Sequence, residues 1–204
     1  MSRTTLVVLA VLALAFAALT GLAVRKGILG AQDQSAAIGG PFQLIDQTGR
    51  LVDEKVLKDK WSAVFFGFSY CPEACPTTLF ALGQTEKLLN AKDFQTVFIS
   101  VDPARDTSAK LATYLSNSAF PRAVLGLTGT SDQVAAVAKA YHVFYQKAGE
   151  GPDYTINHST ITYLMSPRGK FVCVIPYGAP PEVMAKMIKS AMAQGPRAQS
   201  CTAS

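Results

Sequence analysis

The first apolar block of this chain is unbroken. Residues 6–24 hold no charged side chain, only Thr20 interrupts their apolar character, and Arg3 on one side and Arg25 with Lys26 on the other bracket them. Such a run matches the length a helix needs to cross a hydrocarbon core of about 30 Å. A core helix in a protein this small would carry a polar stripe, and none is present. Residues 1–26 are therefore expected to be an N-terminal membrane anchor, one transmembrane helix. Gly21-Leu22-Ala23 also fits a small-x-small cleavage site, so a removed signal segment stays open as the alternative. Positive charges flank both ends, so orientation does not follow from charge alone. A large domain after a first hydrophobic segment is usually exported.

Beyond the anchor the pattern changes repeatedly. Residues 27–40 are rich in Gly, Ala, Gln and Ser and predict a flexible tether. Residues 42–52 predict a β-hairpin around the turn at 46–49. Residues 63–68 (AVFFGF) and 95–102 (QTVFISVD) are nearly continuous apolar runs, as expected of strands buried on both faces. Between them, residues 76–90 repeat leucine at helical spacing. Residues 107–117 predict a helix capped by Asp106 or Thr107. A short apolar piece at 123–127 precedes a helix at 132–141. Residues 160–165 and 171–175 predict a second hairpin around Ser166-Pro-Arg-Gly-Lys170. Residues 180–193 predict an amphipathic closing helix, and 195–204 a disordered tail. Strand–helix–strand, then further helices, an antiparallel hairpin and a final helix make an α/β sandwich of thioredoxin type. The expected domain covers 41–194.

Composition narrows the function. The net charge is +5, from 19 basic and 14 acidic side chains. Three of the basic residues lie in 1–26, so the remainder is close to neutral. That leaves no electrostatic footprint for a phosphate backbone, and nucleic-acid binding is excluded. Of the four cysteines, Cys71 and Cys75 are close together, while Cys173 and Cys201 stand alone. The pattern is one chemical pair and two bystanders, with Cys173 in a strand core.

The pair sits in Phe68-Ser-Tyr-Cys71-Pro-Glu-Ala-Cys75-Pro, directly after a buried strand and at the mouth of a helix. Thiols at a helix N-terminus lie near unpaired N–H groups, which favours the thiolate. Residues four apart share one face of a helical turn, so both sulfurs can meet one ion. Thiolates are soft ligands that select copper(I), zinc or iron–sulfur clusters. A static disulfide is the bland alternative. Two sulfurs leave a metal site incomplete, and only two histidines are available. His142, at a helix end, is accounted for by the C-terminal dipole. His158 lies in the loop feeding the 160–165 strand, which in a thioredoxin fold faces the dithiol.

These motifs are similar to those of the Sco/SenC proteins, thioredoxin-fold copper chaperones that assist assembly of the binuclear copper centre of cytochrome c oxidase. The resemblance covers about 41–193. It rests on FGFSYCPEACPTTL at 66–79, VDPARDT at 101–107, YTINHS at 154–159 and YLMSPRGKF at 163–171. It implies that Cys71, Cys75 and His158 are the metal ligands, and that the cargo is copper, as Cu(I) first and Cu(II) second. The family usually places an acid before the histidine; Asn157 stands there instead. Asp102, Arg105 and Asp106 are expected to shape the loop beside the site.

The resemblance implies a metallochaperone rather than an enzyme. The recipient would be subunit II of cytochrome c oxidase, an external thiol reductant would keep the sulfurs open, and the domain would face the periplasm from the bacterial inner membrane. The alternative is a membrane-anchored thiol–disulfide reductase in which Cys71 and Cys75 form a redox-active pair. Against it stand the CxxxC spacing and the lack of proline at Ser159 and Thr160.

Overall fold

The computed structural model describes residues 38–203. The expected anchor at 1–26 and nearly all of the tether at 27–40 lie outside them. Among the described residues no helix is long and apolar enough to cross a membrane.

The two apolar runs form the centre of the sheet. Strands β3 (Trp61–Gly67) and β4 (Phe94–Ser100) are buried at every position and pair in parallel from Trp61 opposite Phe94 to Gly67 opposite Ser100. Parallel pairing requires a crossover, which helix α1 (Ala74–Leu89) supplies. Around this unit the sheet grows both ways. Strand β5 (Val124–Thr128) adds in parallel to β4, and the hairpin β1 (Gln43–Asp46) and β2 (Leu51–Asp53) joins antiparallel through β1. On the other side β8 (Thr162–Met165) and β9 (Phe171–Ile175) add antiparallel. The strand order is β2-β1-β5-β4-β3-β8-β9.

Helices α2 (Ser108–Leu115), α3 (Ser131–Ala140) and α4 (Pro181–Gln194) complete the layers. Thr107, not Asp106, caps α2 by accepting from the Lys110 N–H. Thr130 and Gln133 form a reciprocal capping box on α3, satisfying two otherwise unpaired donors. Leu111, Leu115, Val134, Val137 and Ala138 join one apolar cluster with Phe66, Phe98 and Tyr163. A second cluster binds α4 to α1 through Met184, Ala185, Ile188, Leu82 and Leu89.

Three expectations need correction. Residues 143–159 are not simply a loop, because β6 (Tyr145–Ala148) and β7 (Thr155–His158) pair antiparallel as a separate two-stranded hairpin. The tail at 195–203 is not disordered, and Cys173 and Cys201 are not bystanders: they form a disulfide across a separation of 28 residues. The bridge pins the tail beside α4, where Ala198 is buried and Gln194 Nε2 donates to the Ser200 carbonyl. Cys173 is only half buried in β9.

Candidate metal centre

The site begins where β3 ends. Gly67 is the last residue of that strand, and a Cβ there would lie 2.7 Å from Cys75 Sγ and 2.9 Å from the Phe98 ring. Only a hydrogen fits. The chain then turns, with the Cys71 N–H donating to the Phe68 carbonyl at 3.1 Å, and α1 starts at Ala74. The sulfurs therefore do not share one helical face, contrary to the expectation from their spacing. Cys75 is inside the first turn, and Cys71 folds back from the preceding loop.

That arrangement gives Cys71 a structural duty. Helix α1 has no side-chain cap on its N-cap residue Glu73. The Cys75 N–H, one of the unpaired donors of the first turn, instead donates to Cys71 Sγ at 3.3 Å. The contact with Cys75 and the amide donors outweigh burial and lower the Cys71 thiol to about 4. Cys75 moves the opposite way, raised first by the same contact with Cys71 and then by burial. The reduced pair shares one proton, with the negative charge on the half-exposed Cys71.

His158 arrives from the separate hairpin as the last residue of β7. Its Nδ1 lies 2.8 Å from the Ser159 carbonyl, an oxygen that can only accept, so Nδ1 carries the ring proton. In the neutral, metal-binding form of the ring the lone pair is then on Nε2, which lies 3.7 Å from Cys75 Sγ. Phe68 and Phe65 hold the ring edge-on, with centroids 5.7 and 6.4 Å away. One ligand atom from each of Cys71, Cys75 and His158 lies within 4.8 Å of the others. With soft-metal bonds of about 2.0–2.3 Å, a three-coordinate ion needs donors separated by roughly 3.7–4.0 Å. Two sulfurs and an imidazole with its lone pair directed inward suit a soft ion such as copper(I).

A buried polar loop stands behind these donors. Asp106 accepts from the Ser69 N–H at 3.0 Å, from Ser69 Oγ at 2.5 Å and from Ser100 Oγ at 2.6 Å. Arg105 pairs with Asp102 and donates from Nη1 to the carbonyls of Tyr154 and Pro152. The sequence marked Asp102, Arg105 and Asp106 but not their partners Ser69 and Tyr154. The glycine at 67 and the accepting carbonyl at 159 were likewise unmarked. A YTINHS segment beside a DPARD loop gives no local sign that the tyrosine and arginine meet.

A family model described as SCO1/SenC matches residues 30–193. The chain belongs to the SCO1/SenC family. Among its relatives is the mitochondrial protein SCO2 of Saccharomyces cerevisiae, 44% identical over 144 residues, which cover 68% of this chain and 47% of that protein. Protein SenC of Rhodobacter capsulatus is 41% identical over 169 residues, covering 81% of this chain and 74% of the relative. The matched region spans about half the length of the mitochondrial relatives from yeast and Arabidopsis thaliana. Two solved Sco structures share the thioredoxin-like α/β fold. Copper-bound ScoI of Arabidopsis thaliana has a TM-score of 0.74 at 37% identity, covering 78% of this chain and 99% of the other. Copper-bound ScoI of Bradyrhizobium japonicum has a TM-score of 0.69 at 40% identity, covering 75% and 98%.

In this SCO1/SenC chain the remaining sequence candidates lie apart from the sulfur pair. His142 is exposed, with a positive φ of 54° just after α3, and it is not in the Cys–Cys–His group. Cys173 and Cys201 are consumed by their disulfide. Asn157 is exposed and, one position before His158 on the same strand, points to the opposite face.

Proposed function

We propose that this protein is a copper metallochaperone whose cargo is held by Cys71, Cys75 and His158 and delivered to the binuclear copper site of cytochrome c oxidase, on subunit II. The carrying observation is the convergence of two sulfurs and Nε2 of a remote imidazole within 4.8 Å. Family membership and the copper-bound Sco relatives support copper over zinc. Cu(I) is the working ion, because thiolates prefer it and it accepts low coordination. Cys71 presents a half-exposed thiolate, Cys75 supplies a second sulfur from within the helix, and His158 closes the set from a different element. Cargo leaves by ligand exchange as a partner's soft donors replace these one at a time, starting at half-exposed Cys71.

The chaperone needs both sulfurs reduced. If they form a disulfide, a partner dithiol must return two electrons and two protons, and is itself oxidised. Residues 6–24 would anchor the domain to the bacterial inner membrane, with the site in the periplasm. The experiment is metal analysis of the reduced full-length chain, with competition against a copper(I) chelator. One copper per chain is expected, with sharp weakening in Cys71→Ser, Cys75→Ser and His158→Ala. A folded, reduced chain that stays copper-free overturns the proposal.

A second reading, thiol–disulfide reductase, draws on the asymmetry of the pair. A half-exposed thiolate at Cys71 is suited to attack a partner disulfide, and buried Cys75 to resolve the mixed disulfide. Rapid disulfide reduction by the copper-free chain, lost in Cys71→Ser, is its signature.

A further inference from the structure

The metal site is built from two pieces with no local connection. Both sulfurs sit on the segment between β3 and α1, whereas the imidazole sits on the β6–β7 hairpin, a two-stranded unit outside the main sheet. Core packing of Ile156 and the edge-on Phe65 and Phe68 rings seat the hairpin and its imidazole, and a polar strut joins the hairpin to the sulfur segment. The Arg105 guanidinium lies over the ring of Tyr154, at 3.5 Å from its centroid, and over the ring of Tyr70, at 4.5 Å. Tyr70 immediately precedes Cys71, and Tyr154 immediately precedes the hairpin strand that ends in His158.

The strut is fixed on both sides. Its Nε pairs with buried Asp102 at 2.5 Å, and the same carboxylate accepts from the Tyr154 hydroxyl at 2.5 Å. Nη1 donates to the Tyr154 carbonyl at 2.9 Å and to the Pro152 carbonyl at 3.2 Å. The arginine thus grips the hairpin by two backbone carbonyls and a ring face, and grips the β4–α2 loop by a carboxylate. Asp106, next in sequence, holds the cysteine segment through Ser69. The two neighbours divide the task, one fastening the imidazole half and the other the sulfur half.

We infer that Arg105 is a positioning residue for copper: it holds the β6–β7 hairpin so that His158 Nε2 meets the sulfur pair before the ion arrives. The inference rests on the copper reading above. Preorganised donors bind more tightly because they do not lose conformational freedom on loading, and planar, forked Arg does this where Lys cannot. Copper(I) affinity should fall about tenfold in Arg105→Ala, and Arg105→Lys should not restore it. Tyr154→Phe, which loses only the hydroxyl bond to Asp102, should weaken binding less, in the same direction.

The test is a double-mutant cycle on the reduced full-length chain, with copper(I) affinity and Tm measured for each protein. Arg105 acts through His158, so Arg105→Ala should cost nothing further in a His158→Ala background. Equal losses in both backgrounds, or no loss in either, overturn the inference. If Arg105→Ala does not fold, Tyr154→Phe takes its place in the cycle and the same two outcomes decide. If His158→Ala itself binds copper(I) as well as the unaltered chain, the copper site fails instead.

Discussion

The imidazole Nε2 of His158 lies 3.7 Å from Cys75 Sγ although 83 positions separate the two residues. A donor set spanning such a distance in sequence exists only when β3, α1 and the β6–β7 hairpin are all assembled. The unfolded chain offers the sulfur pair alone. Copper(I) should therefore bind the native state preferentially and stabilise it. With free copper(I) at a hundred times its dissociation constant, the gain is about 2.7 kcal/mol. Thermal melts of the reduced protein with buffered copper(I) should show Tm rising with copper, and the rise should vanish in His158→Ala together with Cys71→Ser.

Gly67→Ala should damage fold and site together. The added methyl meets Cys75 Sγ at 2.7 Å and Phe98 at 2.9 Å, both in the packed interior. Overpacking of this kind costs about 1–3 kcal/mol. Denaturant unfolding should show that loss, and copper(I) competition should show weakened binding because the sulfur itself is displaced.

Cys71 should react as a thiolate far below the usual range of a cysteine. Its folded value is lowered to about 4 from 9.0. The associated stability is complete above about pH 9 and disappears as pH falls through about 4. Alkylation of the copper-free, reduced protein, followed by mass spectrometry, should label Cys71 at pH 5 to 6. Cys75, whose thiol is raised, should stay unlabelled.

Removing the Cys173–Cys201 bridge should cost stability without touching the metal. Opening a loop of this length restores chain entropy worth about 3–4 kcal/mol in the unfolded state. The double substitution of both cysteines by serine should lower Tm by roughly 6–16 °C. Copper stoichiometry should remain one per chain, since neither sulfur belongs to the Cys–Cys–His group.

Asp46 should govern part of the acid sensitivity. Burial pushes its carboxyl up, but donors from Thr48 and Arg50 outweigh this and hold it at about 2. A folded value below the unfolded 3.8 gives stability that is complete above about pH 4 and lost as pH falls through about 2. Asp46→Asn should cost about 1–2 kcal/mol at neutral pH. Urea unfolding at several pH values should show the gap to the unaltered chain closing near pH 2.

The parts legible in the sequence were those with a strong local signature. Continuous apolar runs marked β3 and β4, and proline-flanked cysteines after such a run marked the sulfur pair. His158 stood out because so few imidazoles compete with it. What stayed hidden depends on partners far apart in sequence. The strands Tyr145–Ala148 and Thr155–His158 are four residues each and only one of their side chains is fully buried, so no two-residue alternation of apolar side chains announces them. Cys173 and Cys201 carry no local mark of pairing, and the spacing of Cys71 and Cys75 read as one helical face although α1 starts between them.

The bridge at Cys173 places two sulfur couples of opposite character in one small molecule, one closed and the other open. Whatever donor of electrons serves the open couple meets the closed one on the same polypeptide. Selectivity must then come from the local surroundings of each couple rather than from the compartment, so a reductant strong enough to open both would leave the chain chemically ready but thermally weakened.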